Sequence, residues 1–171
     1  VKKHLEENRL VLFSGTGCQL EGLFHYLKKN YSNLYTIDVV CRAVPSPLVL
    51  RKYLDMQQSR GLAINDVKFR DKYYGYKYST MSLYTSNGRN YHEGIDTDAY
   101  LRAFFSGLSI RPSCMSCKFR QQHRRTDMTI WDCFTIDEFC KEFDNDKGAT
   151  RIITHSNRAE MLIRNASKDL N

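Results

Sequence analysis

The stretch Leu10-Val-Leu-Phe-Ser-Gly-Thr-Gly-Cys-Gln19 decides how the rest of the chain is read. Leu10 to Ser14 is a continuous apolar run, the pattern of a strand buried on both faces of a parallel sheet. Gly15-Thr16-Gly17 follows as a flexible turn, and Leu20, Leu23, Phe24 and Leu27 then recur at helical spacing. Residues 34–40, Leu-Tyr-Thr-Ile-Asp-Val-Val, read as a second strand. Ser46-Pro47 reads as a helix start, with serine at the N-cap and proline at the first helical position. Leu50, Tyr53, Leu54 and Gln57 continue that period, and Gly61 closes it. Strand–helix–strand–helix over residues 10–61 predicts βαβ units and an α/β fold with a mostly parallel central sheet flanked by helices.

Outward from this core the pattern changes. Over residues 66–95 polar and apolar side chains alternate, and Asn87-Gly88 is a strong hairpin signal, so an antiparallel hairpin insert is expected there. Thr97 to Gly107 reads as helical, with Leu101, Phe104, Phe105 and Leu108 on one side. Residues 111–126 read as an irregular loop rich in cysteine and arginine. Residues 127–133 read as a third core strand, Ile152 and Ile153 as part of a further one, and Asn157-x-x-Glu160 as the opening of a last helix. The whole, residues 1–171, is read as a single α/β domain.

The 171 residues include 42% hydrophobic and 26% charged residues, enough for a core and unlike a disordered tail. No run approaches the roughly 18 apolar residues of a membrane span, so none is expected. The charge of +7 admits an anionic partner without choosing its class. The N-terminal residues are charged and unlike a secretory leader, and the chain does not begin with Met. A fragment of a longer protein with a cytoplasmic location is expected.

Cysteines stand at 18, 41, 114, 117, 133 and 140. Cys18 and Cys41 each lie just past the C-terminal end of an expected strand and Cys133 lies at the end of a third, where open α/β sheets gather ligand sites. The Cys114-x-x-Cys117 pair lies in the loop leading into the third strand. Four thiolates from three segments suit a tetrahedral zinc or an iron–sulfur cluster, and spacing alone does not separate the two. Set against this, a single cysteine near a strand end is more often a small buried hydrophobe than a ligand. Cys140, in a charged stretch, reads as a bystander. The Gly15–Cys18 turn offers backbone N–H groups at a helix start that suit a phosphate, though a plain tight turn reads equally well. Lys118, Arg120, Arg124 and Arg125 place four positive charges within eight residues. The loop has Phe119 but no aromatic platform, so nucleic acid is not expected.

Six ordered blocks resemble the C-terminal domain of the coenzyme F420 hydrogenase/dehydrogenase beta-subunit family, which are iron–sulfur flavoproteins. They are Phe13–Gln19, Val40–Pro47, Phe69-Arg-Asp-Lys72, Arg111–Phe119, Arg125–Ile130 and Asp146-Lys-Gly148. The resemblance implies an oxidoreductase module passing electrons between a 4Fe–4S cluster and a flavin, FAD. Its implied cluster ligands are Cys18, Cys41, Cys114 and Cys117. Its implied flavin contacts are Gly15, Thr16, Gln19, Arg70, Asp71 and Lys72. It also implies a redox partner protein or an N-terminal ferredoxin-like domain. The chain departs from the family pattern in having Gly17 for proline, Arg42-Ala43 for His-Gly, and Trp131-Asp-Cys-Phe-Thr135 for Gly-Asp-Phe-Trp-Gly. The alternative is a non-catalytic docking or structural module with a four-cysteine zinc site or no metal.

Overall fold

A computed structural model describes residues 1–167. In chain order the elements are α1 (Lys2–Glu6), β1 (Val11–Thr16), α2 (Gly17–Leu27), β2 (Leu34–Val39), α3 (Pro47–Ser59), β3 (Ile64–Asp71), β4 (Thr80–Thr85) and β5 (Tyr91–Gly94). They continue with α4 (Ala99–Phe105), α5 (Pro112–Met115), β6 (Met128–Asp132), α6 (Ile136–Phe139), β7 (Thr150–Thr154) and α7 (Asn157–Ala166). The chain forms two compact units. One comprises Val1–Arg42, Lys118–Cys133 and the chain from Ala149 onward; the other comprises Ala43–Cys117 and Phe134–Gly148.

The first unit is built on a four-stranded sheet in the order β1-β2-β6-β7. β1 pairs with β2 and β2 with β6 in parallel, while β7 runs antiparallel to β6. The α/β class and the mostly parallel sheet therefore match the expectation. β1 is not buried on both faces, however. It is the edge strand, and Leu12 is 61% exposed. Its inward residues Val11 and Phe13 pack with Leu5, Leu27 and Leu34. α2 buries Leu20 and Leu27 of its expected stripe. α7 opens at Asn157, as the sequence indicates, and Ser156 is its cap, the side chain accepting from the Ala159 N–H.

The second unit carries a separate antiparallel sheet, β3-β4-β5, over the segment expected to be a hairpin insert. α3 starts at Pro47 after Ser46, as the sequence indicates. Tyr53, Leu62, Met81, Leu83, Tyr100 and Leu101 form the core of this unit. Leu108, expected on the buried side of the fourth helix, is 84% exposed because α4 ends at Phe105. Part of the expected irregular loop is also regular: Pro112–Met115 is a short helix carrying Cys114.

Asp98 organises one end of this core. Fully buried, it caps α4 by accepting from the Leu101 N–H at 2.8 Å. It also accepts from the phenols of Tyr53 at 2.6 Å and Tyr91 at 2.9 Å. Burial, then the bond to Asp98, pushes both phenols well above the ordinary tyrosine range. A raised folded-state value means that stability is present below the unfolded pKa and lost as pH rises beyond it. Stability measured by urea titration should therefore fall above about pH 10, where unfolded tyrosine ionises. Tyr53→Phe should flatten that fall, and an unchanged alkaline profile would refute the assignment.

The Asp146-Lys-Gly148 block has a local structural role. Asp146 accepts from the backbone N–H of Tyr76 at 2.8 Å and of Lys77 at 3.3 Å. Gly148 has φ +103°, and a side chain there would collide with the Tyr76 ring. Gly148→Ala adds left-handed strain to a collision with that buried ring. It should destabilise the protein by about 2 kcal/mol, read as a lower urea midpoint.

Candidate functional site

Thr16, at the end of β1, is the N-cap of α2. The Gln19 Oε1 accepts from the Thr16 N–H at 2.8 Å and from the Thr16 hydroxyl at 3.2 Å. Gly15 is needed beside this bond, since a Cβ there would approach Gln19 Oε1 to 2.9 Å. Gly15, Thr16 and Gln19, expected around a flavin, thus first build the helix start, and the Thr16 N–H is engaged by that cap. Cys18 is exposed in the first turn of α2, its Sγ 3.2 Å from the Thr16 hydroxyl.

Behind this turn lies a buried carboxylate. Asp38, near the C-terminal end of β2, is fully buried. It accepts from the hydroxyls of Thr126 at 2.9 Å and Thr129 at 2.6 Å, and from the Arg124 guanidinium. Arg124 in turn lies against Gly17: a Cβ on that glycine would meet the Phe119 backbone oxygen at 3.3 Å and Arg124 Nη1 at 3.4 Å. A small hollow of about 130 Å³ is lined here by Gly17, Glu21, Asp38, Lys118, His123 and Arg124, among others. The basic loop is therefore partly neutralised, with Arg124 on Asp38 and Arg125 on Glu21 at 3.1 Å. Arg120 donates to the Arg42 carbonyl, which holds the loop next to the residue after Cys41.

Sequence reasoning does not single out Asp38, although a carboxylate alternating into Leu-Tyr-Thr-Ile-Asp-Val is a readable signal. Asp127 is a second buried carboxylate. It accepts from the Thr36 N–H at 2.9 Å, the Ser156 hydroxyl at 2.7 Å, and Arg158 Nε and Nη2 at 2.7 Å each. Burial opposes its ionisation, but the bonds from Arg158, Ser156 and Thr36 outweigh it and hold its pKa below the usual carboxylate range.

In the second unit, Arg70, Asp71 and Lys72 occupy the end of β3 and the residue after it. The Arg70 guanidinium lies 5.1 Å from the Tyr76 ring centre and 4.8 Å from that of Phe134. Asp71 accepts from the Tyr84 hydroxyl at 2.6 Å, a bond that lowers its pKa. Lys72 Nζ lies over the Tyr76 ring at 4.9 Å. Cys114 sits on α5 and Cys117 follows it, both half-buried.

None of the six cysteines is in a disulfide. Cys18 and Cys41 belong to the first unit, and Cys114 and Cys117 to the second. Among the described residues, no three or more His, Cys, Asp or Glu side chains are gathered so as to hold a metal ion. Cys133 is buried, and its sulfur accepts from Arg151 Nε at 3.2 Å. At Cys140 the neighbouring Glu142 pushes the thiol pKa up, which disfavours the thiolate a metal needs.

The sequence pattern of the C terminus of the coenzyme F420 hydrogenase/dehydrogenase beta subunit matches residues 8–171. The chain belongs to this family. No curated protein matches the chain significantly. This F420 hydrogenase/dehydrogenase beta-subunit domain is thus of a redox-enzyme family, and the match spans both of its units. Among its described residues no helix is long and apolar enough to cross a membrane.

Proposed function

We propose that this domain passes electrons between a 4Fe–4S cluster ligated by Cys18, Cys41, Cys114 and Cys117 and a flavin, FAD. The match to a redox beta-subunit family over residues 8–171 carries this reading. The donor chemistry supports it: four cysteines outside any disulfide, with the basic residues Lys118, Arg120 and His123 close in sequence to Cys117. Iron–sulfur clusters are held by cysteine thiolates, and cationic neighbours favour both the thiolate and an anionic cofactor. When bound, a flavin supplies the chemistry that couples one-electron and two-electron transfer.

The chain's own residues have defined tasks in this scheme. Arg124, fixed by the buried Asp38, keeps the loop after Cys117 against the start of α2. Thr16, whose hydroxyl lies 3.2 Å from the Cys18 sulfur, can donate to it as a thiolate. Arg70 and Lys72, held over the Tyr76 ring, present cationic groups for a flavin's phosphates. The electron partner in this reading is a redox protein or a ferredoxin-like domain, and the working compartment is the cytoplasm.

The test is anaerobic purification followed by iron, sulfide, zinc and flavin assays on the same sample. About four irons per chain, with broad absorbance near 400 nm, is the expected result. Stoichiometric zinc without iron after anaerobic reconstitution would overturn the proposal in favour of a structural or docking module.

A further inference from the structure

An unassigned hollow lies wholly within the second unit. It is a cleft of about 490 Å³, a size that suits a small organic ligand. Its walls include Val44, Leu50, Phe69, Phe104 and Phe105, with Tyr100 behind them. Phe69 and Tyr100 lie 5.8 Å apart, and Phe104 and Phe105 meet edge to face at 5.3 Å. Such a surface favours a flat ring.

The polar groups of the cleft are few and of one sign. Arg70 and Arg111 reach it, together with Ser46 and Ser79, and no carboxylate lines it. Arg70 is anchored by the Tyr76 and Phe134 rings. The Arg111 guanidinium, by contrast, makes no hydrogen bond or ion pair among the described residues; only its backbone N–H is engaged, donating to the Val44 carbonyl at 3.0 Å. Ser46, the N-cap of the thirteen-residue α3, makes no side-chain bond to its own helix. An unpaired cation and an uncommitted hydroxyl at a helix N-terminus converge on an apolar slot, which is the arrangement an anion with an apolar body requires.

We infer that this cleft is a binding site for a flat aromatic acid, its ring between Phe69 and the Phe104–Phe105 pair and its carboxylate, sulfonate or phosphate on Arg111 and Ser46. Taking that acid as the module's substrate rests on the redox reading above; the binding site itself does not.

The probe is 1-anilinonaphthalene-8-sulfonate, titrated by fluorescence against the folded chain, beside its uncharged analogue N-phenyl-1-naphthylamine. One saturable site is expected for each. Arg111→Ala should weaken the sulfonate roughly tenfold, about 1.4 kcal/mol, while the neutral probe changes less than about twofold. Ser79→Trp, which fills the slot, should abolish both. Equal loss of both probes in Arg111→Ala, or sulfonate binding that neither variant alters, would overturn the inference. So would displacement of the sulfonate by flavin mononucleotide that Arg111→Ala abolishes, since the cleft would then be a flavin site. The readout needs neither iron nor flavin in the sample, so a failed iron assay leaves this test intact.

Discussion

Cys117→Ser is expected to leave anaerobically reconstituted protein with essentially no cluster, while Cys140→Ser keeps the iron content of the wild type. A serine hydroxyl does not ionise at neutral pH and is a harder donor than thiolate, so losing one of four thiolates removes most of the site's affinity for iron and sulfide. Cys140 is the informative control because the neighbouring Glu142 pushes its thiol pKa up, away from the thiolate a cluster needs. Cys18→Ser, Cys41→Ser and Cys114→Ser should behave like Cys117→Ser. The readouts are iron and sulfide per chain and absorbance near 400 nm. Equal iron in the Cys117 and Cys140 variants would eliminate the four-cysteine assignment. Circular dichroism of each variant separates ligand loss from unfolding.

The second large effect is on stability. Asp127→Asn should cost about 3 kcal/mol in urea unfolding at pH 7. That is near the low end for breaking a buried charge pair, because the Arg158 side chain is 36% exposed while that of Asp127 is 5% exposed. The amide cannot accept from Arg158, Ser156 and Thr36 as the carboxylate does, and Arg158 loses its counter-charge. Because the folded-state pKa of Asp127 is depressed, its contribution is present above the unfolded value, about 3.9, and fades as pH falls through the folded value. The gap between wild type and variant should therefore narrow below pH 4. A gap independent of pH would show that the effect lies in packing and not in charge.

Particular residues explain what could be read in advance. Ser46-Pro47 and Asn87-Gly88 encode their helix start and turn within a few residues, and both stand where the sequence puts them. Leu10–Ser14 reads correctly as a strand but not as a central one. Hydrophobic pattern reports which residues want burial, whereas edge position depends on partners far along the chain. The same distance hides the buried carboxylates. Asp38 acquires Thr126 and Thr129 across 88 and 91 residues, and no local spacing announces that. Gln19 shows the opposite case: a residue singled out for a cofactor has a capping role three residues from its partner. The division of the four candidate ligands between two units was not legible either, because their common position near strand ends and loops says nothing of which unit each segment joins.

The interleaving of those units bears on how the protein is made. The first unit begins with the first residue, yet its central strand pairing, Ile37 to Met128, awaits a segment ninety-one residues later, and its last strand ends at Thr154. The second unit holds most of its core, from Tyr53 to Leu101, in one uninterrupted run. On a ribosome emitting the chain from its N-terminus, the sheet started first is completed last. Until then β1, α2 and β2 wait with Asp38 lacking its threonines and arginine, and Leu34 and Phe13 available to wrong partners. Synthesis past residue 154 is thus the commitment point of the fold, and a ribosome stalled before it would release a chain whose second unit has most of its core and whose first does not.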